Sequence, residues 1–186
     1  MAVLEAISLV VLEDWATSVE FTSLGTYDHL QLRLSIRSTT KAESDQIRLT
    51  LGGSTYDTGA NYSRAYFRGV GLTNSMFTGH SKNLTDGRSP GNALTGHYVS
   101  GPEFGYGIYD ILNYRSSTNN TVCRWSWETS GVGPEDQHGQ NSAPTLSLGS
   151  NLYNHSQAIG RIKLHLWNGP QWQRGSSFAL YGWKDS

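Results

Sequence analysis

His29-Leu30-Gln31-Leu32-Arg33-Leu34-Ser35-Ile36-Arg37 is the longest clean alternation of apolar and polar residues in the chain. Leu30, Leu32, Leu34 and Ile36 fall on one side of an extended backbone; His29, Gln31, Arg33, Ser35 and Arg37 fall on the other. A helix would separate Leu32 from Leu30 and Leu34, so the four apolar residues would share no face. The stretch therefore predicts a strand with one dry face and one wet or contacted face.

The same period returns elsewhere. Gln46 to Leu51 places Ile47, Leu49 and Leu51 inward, with Gln46, Arg48 and Thr50 outward. Ile159 to Trp167 places Ile162, Leu164 and Leu166 inward against Arg161, Lys163 and His165. Further strands are expected at Val19–Phe21, Tyr62–Val70, Phe104–Leu112, Thr121–Glu128 and Ser177–Trp183. Leu4 to Leu12 is almost wholly apolar, which suits a strand covered on both sides, by a second subunit or an overlying loop. Gly71–Pro102 and Ser130–Pro144 read as two long polar loops. The total is about eight or nine strands and no helix.

Composition supports this reading. The 186 residues include 21 glycines and only 16% charged residues, a profile of many polar turns rather than helices. The length suits one domain, residues 1–186, with a real core. The expected fold is an all-β antiparallel β-sandwich, jelly-roll-like, with two long loops. The net charge of −1 gives no reason to expect a nucleic-acid or membrane partner. The single cysteine, Cys123, leaves no internal disulfide or multi-cysteine zinc site and fits folding in a reducing cytoplasm. Met1 to Val11 lacks a leading Lys or Arg and is interrupted by Glu5, so it reads as a first strand rather than a signal peptide.

Several residues carry candidate chemistry. Asp57-Thr58-Gly59-Ala60 spells the active-site turn of aspartic proteases, but the polar Ser54-Thr55-Tyr56 precedes it where an apolar strand is required, so a plain turn is preferred. Glu103, Asp110, Glu128, Glu135 and Asp136 show no spacing that singles out a glycosidase pair. Trp125 and Trp127 share a strand face and read as core. Trp167 and Trp172 flank Asn168-Gly169-Pro170 and are the candidates for exposure and glycan contact. His29, His80, His97, His138, His155 and His165 lack metal-ligand spacing, so no metal and no cofactor is expected. The outward residues His29, Gln31, Arg33, Arg37, Arg48, Arg161, Lys163 and His165 would form one cationic assembly face if their strands were neighbours.

The last segment, Gly175-Ser176-Ser177-Phe178-Ala179-Leu180-Tyr181-Gly182, resembles the ending of a widespread group of tailed-bacteriophage virion proteins. Other blocks match that group in the same order: Val19-Glu20-Phe21-Thr22-Ser23-Leu24 with Tyr27-Asp28-His29-Leu30, then Ser35-Ile36-Arg37-Ser38. Leu49 to Gly53 followed by Thr58-Gly59-Ala60-Asn61-Tyr62-Ser63 comes next, and then Ile108 to Tyr114 with Ser116-Ser117-Thr118. The resemblance implies a non-enzymatic structural part of a virion, made in the host cytoplasm. A capsid decoration (cement) protein is preferred over a tail, baseplate or fibre component. The implied partners are copies of the chain itself, with a trimer as the specific expectation, and the major capsid protein or tail proteins. A carbohydrate-binding module for host glycans is the alternative from another class.

Overall fold

A computed structural model of the chain describes residues 3–39, 46–70, 75–88, 104–129, 145–155, 157–167 and 171–184. In chain order its strands are β1 (Glu5–Val11), β2 (Ser18–Phe21), β3 (His29–Ile36), β4 (Ile47–Gly52), β5 (Tyr62–Val70), β6 (Ser75–Leu84), β7 (Gly87–Arg88), β8 (Gly105–Leu112), β9 (Thr121–Thr129), β10 (Thr145–Tyr153), β11 (Arg161–Leu166) and β12 (Ser177–Trp183). No helix occurs among the described residues. One large sheet has eight strands in the order β1-β12-β3-β8-β9-β10-β5-β6; a small sheet has four in the order β2-β11-β4-β7. Every pairing is antiparallel, and the fold is an all-β sandwich.

The alternating rows read from sequence form the core. Leu30, Leu32, Leu34 and Ile36 from β3 join Ile47, Leu49 and Leu51 from β4 and Ile162, Leu164 and Leu166 from β11 in one buried cluster. β2 adds Val19 and Phe21, and β12 adds Phe178 and Leu180. Burying these aliphatic and aromatic side chains is worth roughly 1.5–3 kcal/mol each relative to exposure, so the parity of each strand is strongly fixed.

Four expectations are corrected. The stretch Gly71–Pro102 is not all loop, because β6 and β7 lie within it. β6 closes one edge of the large sheet, where apolar alternation is not required, and this hid the strand. β10, one strand further in beyond β5, was missed for a different reason: its pattern is inverted. Leu146, Leu148 and Leu152 are exposed, while Ser147 and Asn151 are buried. Small residues are needed on the inner side because Gly149 lies opposite Trp125 and Ser147 opposite Trp127. Third, β1 is an edge strand paired only to β12. Leu9 is 67% exposed and Val11 half exposed, so no overlying loop among the described residues covers the face of β1 that they share. Fourth, β3 belongs to the large sheet while β4 and β11 belong to the small one, so their outward rows lie on opposite faces of the sandwich. The expected loop Ser130–Pro144 lies outside the described residues.

Trp125 and Trp127 are core residues, as the sequence suggests, and they depend on glycines of adjacent strands. Gly107 of β8 pairs with Trp127, and a Cβ there would fall within the indole ring. Overfilling a packed core costs about 1–3 kcal/mol. Gly107→Ala is therefore expected to lower the unfolding free energy by about that amount, read from urea denaturation; an unchanged midpoint would show that the ring can move aside.

Candidate functional site: a charged groove on the small sheet

Core burial of one side of β4 and β11 commits the other side to the outer face of the small sheet. Register then builds a row across all of its strands: Ser18 opposite His165, His165 opposite Arg48, and Arg48 opposite Arg88. A second row places Glu20 opposite Lys163 and Lys163 opposite Thr50. Apart from Glu20, the residues of these rows line a cavity of about 730 Å³ together with Trp167 and Tyr56, within the usual range for a small-molecule site.

The groove is organised by a buried ion pair. Arg48 Nη1 donates to both carboxylate oxygens of Asp86 at 2.7 Å. Arg88 Nε donates to Asp86 Oδ1, also at 2.7 Å. The arginine pair is asymmetric: Arg48 is almost fully buried, whereas the Arg88 side chain is 25% exposed. The Arg48 guanidinium also lies over the Trp167 ring at 5.1 Å, and Trp167 remains 48% exposed. Asn83, at φ 56°, turns the chain near the end of β6 and brings Asp86 to the mouth of β7. Asn tolerates that left-handed conformation better than most residues.

The opposite end is built by Tyr56. Its hydroxyl donates to Glu20 at 3.0 Å, and Lys163 pairs with the same carboxylate at 3.1 Å. Burial, reinforced by the bond to Glu20, pushes the Tyr56 phenol up to about 12. Hydrogen bonds from Lys163 and Tyr56 hold Glu20 below its ordinary value. Between the two ends, His165 Nε2 lies 3.2 Å from Thr50 Oγ1. Burial pushes His165 below the ordinary imidazole value, and Lys163 and Arg48 act in the same direction against Asp86.

The expected assembly face is thus divided. Arg48, Arg161, Lys163 and His165 share the outer face of the small sheet. Arg161 sits beyond the groove's end, donating to the Gly53 carbonyl at 3.2 Å and lying over Tyr56 at 5.3 Å. On the large sheet, Arg33 donates to Gln31 and Gln31 to Asp110. The Arg33 guanidinium lies 4.8 Å from the Tyr181 ring centre. His29 is buried beside Trp183, and its Nδ1 accepts from Asn113 N–H. Arg37 lies past the end of β3, where its backbone pairs with Gln173 and Ser176. His29, being buried, contributes nothing to an open cationic surface, and Arg37 is partly buried.

Trp172 corrects the glycan expectation. It has no exposed surface. Its backbone exchanges hydrogen bonds with Ala16, and its ring packs edge-on against Phe178 at 5.3 Å. The backbone pairing draws the indole into the end of the core. Trp167, the other candidate, is the exposed one.

The remaining candidates are placed as follows. Asp57 accepts from Gly59 N–H, Asn61 and Tyr153. These bonds outweigh its burial and hold the carboxyl below its ordinary value, so it acts as the anchor of a turn. Burial pushes the Cys123 thiol up to about 12. Asp110 and Glu128 lie on the outer side of the large sheet, whereas Glu103, Glu135, Asp136, His97 and His138 lie outside the described residues. Among the described residues no three His, Cys, Asp or Glu side chains are placed to hold a metal. Sequence reading missed Asp86, Arg88, Thr50 and Tyr56 as groove residues. Asp86-Gly87 is a turn dipeptide and could have marked the junction.

No protein-family model matches the chain, and no curated protein does.

Two outcomes follow from the groove's electrostatics. Asp86→Asn leaves the Arg48 charge buried without its counter-ion, and a loss of about 3–5 kcal/mol is expected, measured by urea unfolding at neutral pH. A loss under 1 kcal/mol would mean that water reaches Arg48. Separately, folding lowers the pKa of His165 from 6.5, so the folded chain takes up that proton less readily than the unfolded chain. The stability it contributes is complete above the unfolded value and is lost as pH falls toward the folded one. Stability should decline on acidification from about pH 8 to about pH 5, and more steeply in the wild type than in His165→Gln. Parallel profiles would contradict this.

Proposed function

We propose that the chain is a structural component of a bacteriophage particle, with a capsid decoration (cement) protein preferred to a tail, baseplate or fibre part. The sequence blocks ending in Gly175–Gly182 supply the class. The structural observation that supports it is the outer face of the large sheet. Register sets Tyr106, Glu128, Leu146, Gly69 and Met76 in one line across five strands, and Ile108, Ser126, Leu148, Phe67 and Thr78 in the next. Met76 is 70% exposed, and Tyr106, Ile108, Leu146 and Leu148 are exposed with it. At the far edge β1 presents Leu9 and Val11. It has no Lys or Pro to block pairing with another chain. An apolar area of this extent on a sheet face marks a surface that is covered in use.

In this reading the mechanism is assembly rather than catalysis. The occupant is a second copy of the chain, because virion parts occur in symmetric arrays and a homo-oligomer, a trimer in the specific form, buries the face repeatedly. The major capsid protein or a tail protein would then take the assembled unit. Preference for the capsid rests on the self-contained sandwich, which has no helix among its described residues to build a fibre shaft. The jelly-roll-like winding implied by the sequence resemblance belongs to this same reading. The glycan alternative draws support from a different feature, the groove around Trp167.

Mass photometry and light scattering at micromolar concentration provide the check. The wild type is expected to be oligomeric. Leu148→Glu combined with Leu9→Glu is expected to be monomeric with an unchanged far-ultraviolet circular dichroism spectrum. A wild-type chain that stays monomeric would overturn the assembly reading.

A further inference from the structure

The outer groove of the small sheet combines three features that serve no purpose in holding the two sheets together. The first is an exposed aromatic face. Arg48 occupies one side of the Trp167 ring, and nearly half of that side chain is still open to solvent. The second is uncommitted hydrogen-bonding capacity on buried or half-buried cations. Asp86 is shared by two guanidiniums. Arg88 commits only its Nε to that carboxylate, which leaves its terminal amino groups available. Arg48 Nε is buried and has no partner among the described residues. The third is hydroxyl groups lining the same groove, Thr50 on the strand of Arg48 and Ser18 two strands away.

We propose that this groove binds a carboxylated saccharide. An indole face packs against the C–H face of a pyranose ring, and a planar guanidinium matches a carboxylate through paired N–H donors. With two guanidiniums for one carboxylate, the Arg48–Asp86–Arg88 cluster carries a net positive charge in a partly desolvated place. A second carboxylate, brought by the ligand, balances it. Ser18 and Thr50 supply donors and acceptors of the kind that sugar hydroxyls require. A simple anion would use the guanidiniums but not the indole; a neutral sugar would use the indole and hydroxyls but leave the charge unbalanced. The saccharide site does not depend on the virion reading, since it lies on the opposite face of the sandwich from the apolar surface.

Isothermal titration calorimetry on the whole chain tests it. The probes are tetragalacturonate, a hyaluronan tetrasaccharide and 3′-sialyllactose, with methyl-esterified tetragalacturonate, cellotetraose and lactose as neutral counterparts and inorganic phosphate as the simple anion. At least one acidic saccharide is expected to bind, with its neutral counterpart about tenfold weaker or more. Trp167→Ala and Arg88→Gln are each expected to weaken that binding about tenfold while keeping the wild-type melting temperature. If Arg88→Gln lowers the melting temperature, Trp167→Ala alone decides, because its indole is largely outside the core. No heat from any acidic saccharide at about 5 mM would overturn the proposal. Equal binding of neutral counterparts, or phosphate binding as tightly with Trp167→Ala without effect, would overturn it as well.

Discussion

The structure depends on the apolar seam between its two sheets. Leu30, Leu32 and Ile36 on one side and Ile47, Leu49, Leu51, Ile162 and Leu164 on the other have no accessible surface. Because a strand alternates with period two, burying these residues also decides where their neighbours go. A shift of one residue in β4 would carry Arg48 into the core and Leu49 into the groove. The seam thus sets the row Ser18–His165–Arg48–Arg88 as firmly as it sets the core.

Aromatic size is the second constraint. Trp125 and Trp127 occupy the inner side of β9, and the strands beside it must give way. β8 gives Gly107, and β10 gives Ser147 and Gly149. With the inner positions opposite the tryptophans taken by Ser147 and Gly149, β10 carries Leu146 and Leu148 outward. The exposed apolar face of the large sheet is therefore coupled to how the core is filled. That coupling explains why a chain with only moderate hydrophobic content displays so much of it.

The two distinctive surfaces lie on opposite sides of the sandwich. One carries exposed apolar side chains, Tyr106, Ile108, Leu146, Leu148 and Met76 among them; the other is concave, charged and rimmed by Trp167. An assembly contact through the large sheet would leave the groove facing away from the contact. The buried Arg48–Asp86 pair is a poor device for stability, since desolvation offsets most of its attraction. Its value lies in holding two guanidiniums in fixed positions at the groove.

The sequence by itself determined the fold class, the core rows of β3, β4 and β11, and the burial of Trp125 and Trp127; of the two tryptophans flanking the Asn168-Gly169-Pro170 turn it could not say which is exposed. All of these follow from local alternation or from turn chemistry within a few residues. Sequence could not show β6, whose edge position frees it from alternation, or β10, whose pattern is inverted by the tryptophans of a neighbouring strand. It could not place Trp172, whose burial is set by pairing with the distant Ala16. Nor could it separate the outward row of β3 from those of β4 and β11, because alternation gives each strand two faces but does not say which sheet the strand joins. Only the tertiary structure decided that, and it brought Asp86, from a segment that reads as loop, against Arg48. The reason is physical: strand parity is a property of neighbouring residues, while sheet membership and ion pairing are set by contacts far apart in the chain.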